Sequence, residues 1–141
     1  MVKEHIIRLT VKNNSGFTMN FKRSWYDSGR LANSYNWPKT VEDGSQMDIM
    51  NYERDWALAG CSGYVDYEIN GTVITFGFSN PSSGKNKLGV GTNGKAVWDD
   101  MEHHGYDPFV MTLPISGVTL QFKCKCTGST TNHATVDIEY C

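Results

Sequence analysis

The sequence predicts an all-β protein: an antiparallel β-sandwich with one short helix packed on a sheet face. Three observations carry that reading. Apolar residues recur at every second position in segment after segment, the period of a half-buried strand. Turn-forming pairs, Asn70-Gly71 above all, stand between two such runs. One stretch, residues 93–105, breaks the alternation with helical spacing.

The elements follow in chain order. Ile7, Leu9 and Val11 alternate and form the first expected strand. The next run, "NNSGFTMNFKRSWYDSGR" from Asn13 to Arg30, is bracketed by Ser15-Gly16 and Ser28-Gly29. Its alternation places Phe17, Met19, Phe21 and, past Arg23, Trp25 on one face. Val65, Tyr67 and Ile69 lead into Asn70-Gly71, and Ile74, Phe76 and Phe78 continue beyond it, which reads as a β-hairpin. From Asn93 to Gly105, Val97, Trp98 and Met101 fall at i, i+1 and i+4, so one short helix is expected, capped by Gly105. Such a helix must pack on a sheet face and leaves its other side open for binding. Val118, Leu120, Phe122, Cys124 and Cys126 share one face. After a turn at Thr127-Gly128-Ser129, Ala134, Val136, Ile138 and Tyr140 share another, a second hairpin.

A chain of 141 residues suffices for one domain with a real core, so residues 1–141 are read as a single sandwich. Hydrophobic residues at 39% and aromatics at 12% mark a folded chain. A net charge of -2 with scattered basic residues excludes nucleic acid as a partner, because neutralising phosphates takes a basic stripe. No segment reaches the roughly 18 apolar residues of a membrane-spanning helix. The start, "MVKEHIIRLTVKN", has neither an apolar h-region nor a small-residue cleavage site. The expectation is a protein secreted or released without a visible signal peptide and acting at a target membrane, with cytosolic storage as the alternative.

The search for chemistry returns little. His103-His104 and His133 are the tempting catalytic residues, but adjacent helical histidines point about 100° apart and do not easily share a metal. Asp99, Asp100 and Glu102 with His103 read as a solvated helix face rather than a cation site. Metalloprotease, nucleophile-elbow and phosphate-loop motifs are absent. A non-enzymatic protein without cofactor or metal is expected. Cys61, Cys124, Cys126 and Cys141 allow three pairings. The C-x-C spacing suits neither a zinc knuckle nor a bridge within one strand, so buried free thiols are the reading adopted. Asn13 and Asn70 head N-x-S/T sequons. Binding is the better class. Tyr26, Tyr35, Trp37, Tyr52, Trp56, Trp98 and Tyr106 lie mostly in loops or at strand ends, where amphipathic rings suit an interface, a sugar or a cation. Some of the seven are expected to cap the core.

At this point the motifs become specific. Asn13-Asn14-Ser15-Gly16, Thr18, Trp25-Tyr26 and Ser28-Gly29 are followed by Pro38, Val41 and Gly44 in a P-x-x-V-x-x-G pattern. Next come "GCSGYVDYEING", "FGFSNPSSGKN", "WDDMEHHGYDPF" and "NHATVDIEY". In this order the chain resembles the actinoporin-like pore-forming cytolysins, whose sandwich is shared by fungal fruit-body lectins. The resemblance implies a site for the phosphocholine head of sphingomyelin-like lipids, carried onto Ser28, Ser62, Ser79 and Pro81, with Trp98, Glu102 and His103 on the helix. It implies serine hydroxyls on phosphate oxygens and an aromatic ring facing a quaternary ammonium. The chain also departs from the family. Its loop "SSGKNKLG" carries no aromatic residue, and Glu102-His103 stands where the family has a tyrosine pair. It opens close to the first strand, between Met1 and Ile7, without the amphipathic pore helix, so binding without perforation is expected. A soluble lectin on the same sandwich, with Trp37 and Trp56 stacking on sugar, is the alternative. The partner is thus a membrane lipid headgroup or a glycan, and self-association is left open.

Overall fold

The computed structural model describes residues 2–141, apart from the Glu102 side chain. Eleven strands form two sheets packed face to face. The strands are β1 (Ile6–Asn14), β2 (Met19–Ser28), β3 (Arg30–Leu31), β4 (Thr40–Val41), β5 (Gln46–Tyr52), β6 (Cys61–Ile69), β7 (Thr72–Asn80), β8 (Lys87–Gly91), β9 (Phe109–Ile115), β10 (Val118–Lys125) and β11 (Thr131–Tyr140). One sheet has the order β3-β5-β1-β11-β10-β9 and the other β4-β2-β6-β7-β8. The sandwich fold read from periodicity is therefore the one observed. Every pairing is antiparallel except one: β1 and β11, the first and last long strands, run parallel side by side.

The core lies between the sheets. Ile7, Leu9 and Val11 of β1 and Ala134, Val136 and Ile138 of β11 meet Val65, Tyr67 and Ile69 of β6 and Ile74, Phe76 and Phe78 of β7. The expected alternating residues point inward, apart from Trp25 of β2 and Tyr140, which is exposed where β11 ends. Both hairpins form. Asn70 and Gly71 adopt φ of 48° and 85°, the positive values a two-residue turn between twisted strands requires. Five strands escaped the sequence reading: the two-residue β3 and β4, and the longer β5, β8 and β9. β5 does alternate, burying Met47, Ile49 and Asn51. β8 is short and glycine-rich, and β9 is an edge strand carrying Pro114, whose missing N–H an edge tolerates.

The phase of β2 corrects an expectation. Phe21 pairs with Tyr67, but Arg23 pairs with Asp66, so Lys22 is an extra residue in a β-bulge. Beyond it the faces exchange. Tyr26 turns inward against Phe78, and its hydroxyl donates to Asn51 in the opposite sheet. Trp25, expected on the same face as Met19 and Phe21, turns outward.

The helix α1 (Gly94–Asp100) starts at Asn93, whose side chain accepts the Ala96 N–H, and continues as a 3-10 turn, Met101–His103. It is shorter than residues 93–105, although Gly105 has the positive φ of 53° that suits a chain reversal. Val97 and Met101 rest on the outer face of β7 and β8, where Gly77, Gly89 and Gly91 leave a floor without side chains. A Cβ on Gly89 would lie 2.7 Å from Met101 Cβ, and one on Gly91 would lie 2.6 Å from Val97 Cγ2. The helix thus sits directly on the sheet backbone.

Cys61, Cys124 and Cys126 are buried free thiols as expected, whereas Cys141 is free but exposed. Burial pushes the Cys61 and Cys124 thiols up to about 12 and Cys126 to about 11. Asn13 is also buried. Its amide donates to the Phe17 and Val41 carbonyls and its oxygen accepts from Ser15, so this sequon is a structural turn.

Candidate functional site

The outward face of the second sheet carries the site. Its geometry follows from register. Ser28 pairs with Ser62, Ser62 with Ser79, and Ser79 with Lys87, so three hydroxyls and an ammonium stem form one row across β2, β6, β7 and β8. Neighbouring strands are about 4.8 Å apart, so the row runs roughly 14 Å. The helix closes one side and Pro81 with Ser82 another, leaving a cleft of about 460 Å³. Asp27, Ala59, Gly60, Asp99 and Met101 complete its wall. That volume is in the range of about 300–1,000 Å³ for small-ligand sites.

Five of the seven expected site residues meet here: Ser28, Ser62, Ser79, Pro81 and Trp98. Ser62 and Ser79 are largely buried and form the floor, while Ser28 is half-buried at the rim. His103 does not join them. It is exposed on the 3-10 turn, of which, among the described residues, only Met101 lines the cleft. The Glu102 side chain lies outside what the structure describes. His104 instead stacks on Phe109 with ring centroids 3.9 Å apart. Its pKa is lowered, first by desolvation and then by the neighbouring His103. Among the described residues, no group of three His, Cys, Asp or Glu side chains is placed to hold a metal.

Trp98 is the most constrained residue of the site. Its Nε1–H donates to Ser62 Oγ at 2.8 Å. Trp25, turned outward by the bulge, meets its ring edge-on at 5.3 Å and lies 5.4 Å from Tyr64. Lys95 Nζ sits 4.6 Å from the Trp98 ring centroid and 2.8 Å from Asp99 Oδ1. A cation is therefore already held on this ring by the protein itself. Carboxylates at Asp27 and Asp99 and the ammonium of Lys87 bring both charge signs to one cleft, which suits a zwitterion.

Sequence reasoning missed Lys87 and Asp27 and read Asp99 as part of a solvated helix face. One signal was available: a two-residue turn pairs residues equally distant from it, so Asn70-Gly71 already sets Ser62 opposite Ser79. Placing Lys87 beside Ser79 needs the length of the β7–β8 loop, which has no pattern of its own. Of the aromatic residues, Trp37 is partly buried and packs against the core on Phe78 with its N–H turned inward, so at least part of this ring serves the sandwich.

The molecule is thus an all-β sandwich presenting a polar, aromatic-flanked cleft at one end of a sheet. No protein-family model matches the chain, and no curated protein matches it by sequence. Solved structures do match. The chain is similar to the lipid-binding protein Nakanori, with a TM-score of 0.75 and 16% identity, covering 99% of this chain and 72% of that one. It is similar to RahU protein in complex with a TRIS molecule, with a TM-score of 0.64 and 17% identity over 99% and 98% of the two chains. A third match is IP-1A from Alcaligenes faecalis, with a TM-score of 0.59 and 12% identity over 98% and 92%. At these identities the likeness establishes a shared fold.

Proposed function

We propose that this protein is a non-enzymatic, actinoporin-like reader of lipid headgroups that binds a phosphocholine-type zwitterion in the serine-lined cleft at a target membrane. The observation that carries the reading is the row Ser28–Ser62–Ser79–Lys87 beside Trp98, on a fold shared with a lipid-binding protein. Hydroxyls and an ammonium hold phosphate oxygens with charge-assisted hydrogen bonds. The Trp98 ring with Asp27 and Asp99 offers the quaternary ammonium a negative surface, once Lys95 moves aside.

The test is co-sedimentation with phosphatidylcholine vesicles, with and without sphingomyelin, alongside a trapped-dye readout. Wild type is expected to sediment with the vesicles. Ser79→Ala and Lys87→Ala are each expected to bind about tenfold more weakly, the scale of one charged hydrogen bond. Vesicle binding by both variants equal to wild type would put the site elsewhere. The dye reports whether binding also perforates.

A second reading, a glycan lectin, draws on the same cleft, because carboxylates and hydroxyls also bind sugar hydroxyls. It predicts binding that a free sugar reverses and that is indifferent to sphingomyelin.

A further inference from the structure

We propose that the β5–β6 loop, residues 53–60, is a membrane anchor that seats Trp56 and Leu58 in the interface of a phospholipid bilayer while the adjoining cleft takes a headgroup. The inference rests on the headgroup reading and adds to it how the protein stays on the surface. Leu58 is 97% exposed and Trp56 is 85% exposed, the two largest apolar exposures in the interior of the described chain. They stand two residues apart in "ERDWALAG". An isolated exposed apolar residue is ordinary, but a tryptophan and a leucine together at a loop tip beside a ligand cleft mark a contact surface.

The loop is continuous with the site. Ala59 and Gly60, immediately after Leu58, line the cleft. Gly60 is pressed so closely on the neighbouring loop that a Cβ there would lie 2.3 Å from the Asn80 carbonyl oxygen and 2.7 Å from the Pro81 carbonyl carbon. Its other end is tied as well. Lys3 Nζ donates to the Glu53 carbonyl at 2.7 Å and to Asp55 at 2.6 Å, and the Glu53 carboxylate accepts from the Glu4 and His5 N–H groups. A base fastened on both sides presents the apolar tip at a set place relative to the cleft mouth. The occupant that fits both features is a bilayer surface. Its headgroups match the zwitterionic cleft, and its interface is where the amphipathic indole ring is most favourably placed.

The test separates anchor from headgroup site. Trp56→Ala and Leu58→Ser would be compared with wild type in two assays: partition onto sphingomyelin–phosphatidylcholine vesicles, and titration with soluble phosphocholine. Thermal melts would confirm folding. Each variant is expected to lose about tenfold in vesicle partition, the worth of one buried apolar side chain, with unchanged phosphocholine affinity. Quenching of wild-type tryptophan fluorescence by brominated phosphatidylcholine is expected to fall sharply in Trp56→Phe. Vesicle partition equal to wild type in both variants would overturn the anchor and leave the headgroup reading intact. Loop-dependent vesicle binding without any phosphocholine binding would support the anchor and overturn the headgroup reading. A fall in oligomeric mass with vesicle binding unchanged would assign the loop to self-association and overturn the anchor.

Discussion

At the scale of single residues, the proposed headgroup site turns on Trp98 and Lys95. Trp98 is held by its hydrogen bond to Ser62 and by Trp25, so its orientation needs no ligand. Lys95 competes for the ring that a quaternary ammonium would use. Lys95→Ala should therefore tighten binding of a soluble choline ester several-fold, within the roughly 0.5–2 kcal/mol of a cation–π contact, as measured by calorimetric titration. Weaker binding in that variant would show Lys95 to be part of the site. Trp37 gives a second prediction. Its buried indole N–H lacks a partner, so Trp37→Phe removes an unpaired donor along with some packing volume. The two effects oppose each other, and the unfolding free energy from denaturant titration is expected to change by less than about 1 kcal/mol. At this scale the serines and Pro81 were legible in the sequence because they sit in motifs. His103 was grouped with them, because a linear motif does not show which residues of the turn line the cleft.

At the scale of elements, the glycine floor is what lets the helix present Trp98. Gly77, Gly89 and Gly91 stand on the outer face of β7 and β8 and bring Val97 and Met101 against backbone. Gly89→Ala would push against Met101 Cβ, which cannot swing away as the end of a long side chain can. The expected cost is about 1–3 kcal/mol in thermal or denaturant unfolding, together with loss of vesicle binding as the Trp98–Ser62 bond breaks. Unchanged stability and binding would mean that the helix tolerates displacement. The hairpins were readable because Asn-Gly and period-2 alternation are local signals. The bulge at Lys22 was not, since the extra residue is visible only against its partner strand β6. It matters because it turns Trp25 onto Trp98 and Tyr26 into the core. The glycine floor was equally hidden: a glycine in a strand reads as weakness until the helix packed on it is known.

At the scale of the molecule, the sandwich supplies the frame on which the proposed site is built. β1 and β11 lie in parallel at the centre of one sheet, and the other sheet bears the cleft on its outer face. The three buried thiols belong to the frame, and they make its stability depend on pH. Their pKa values are raised in the fold, so their contribution is fully present below the unfolded thiol value of about 8.5. It is lost as pH climbs through about 11 to 12. Melting temperature should fall on the alkaline side of pH 9, and a thiol reagent at pH 8 should modify Cys141 at once and the other three only on unfolding. Rapid modification of all four would contradict the packing described. The fold class was legible from the sequence alone because alternation repeats across the chain. The cleft was legible only in part, because it is assembled from four strands whose mutual register is a property of the whole sheet.

The most direct test of the central claim is the indole N–H spectrum of 15N-labelled protein titrated with phosphocholine. The Trp98 proton is bonded to a serine on the cleft floor, whereas that of Trp37 is buried where the ring packs against the core, outside the cleft lining. A progressive, saturable shift of the Trp98 signal with Trp37 unmoved is the predicted result. A Trp98 signal that stays fixed while vesicle binding is intact would place headgroup recognition outside this cleft.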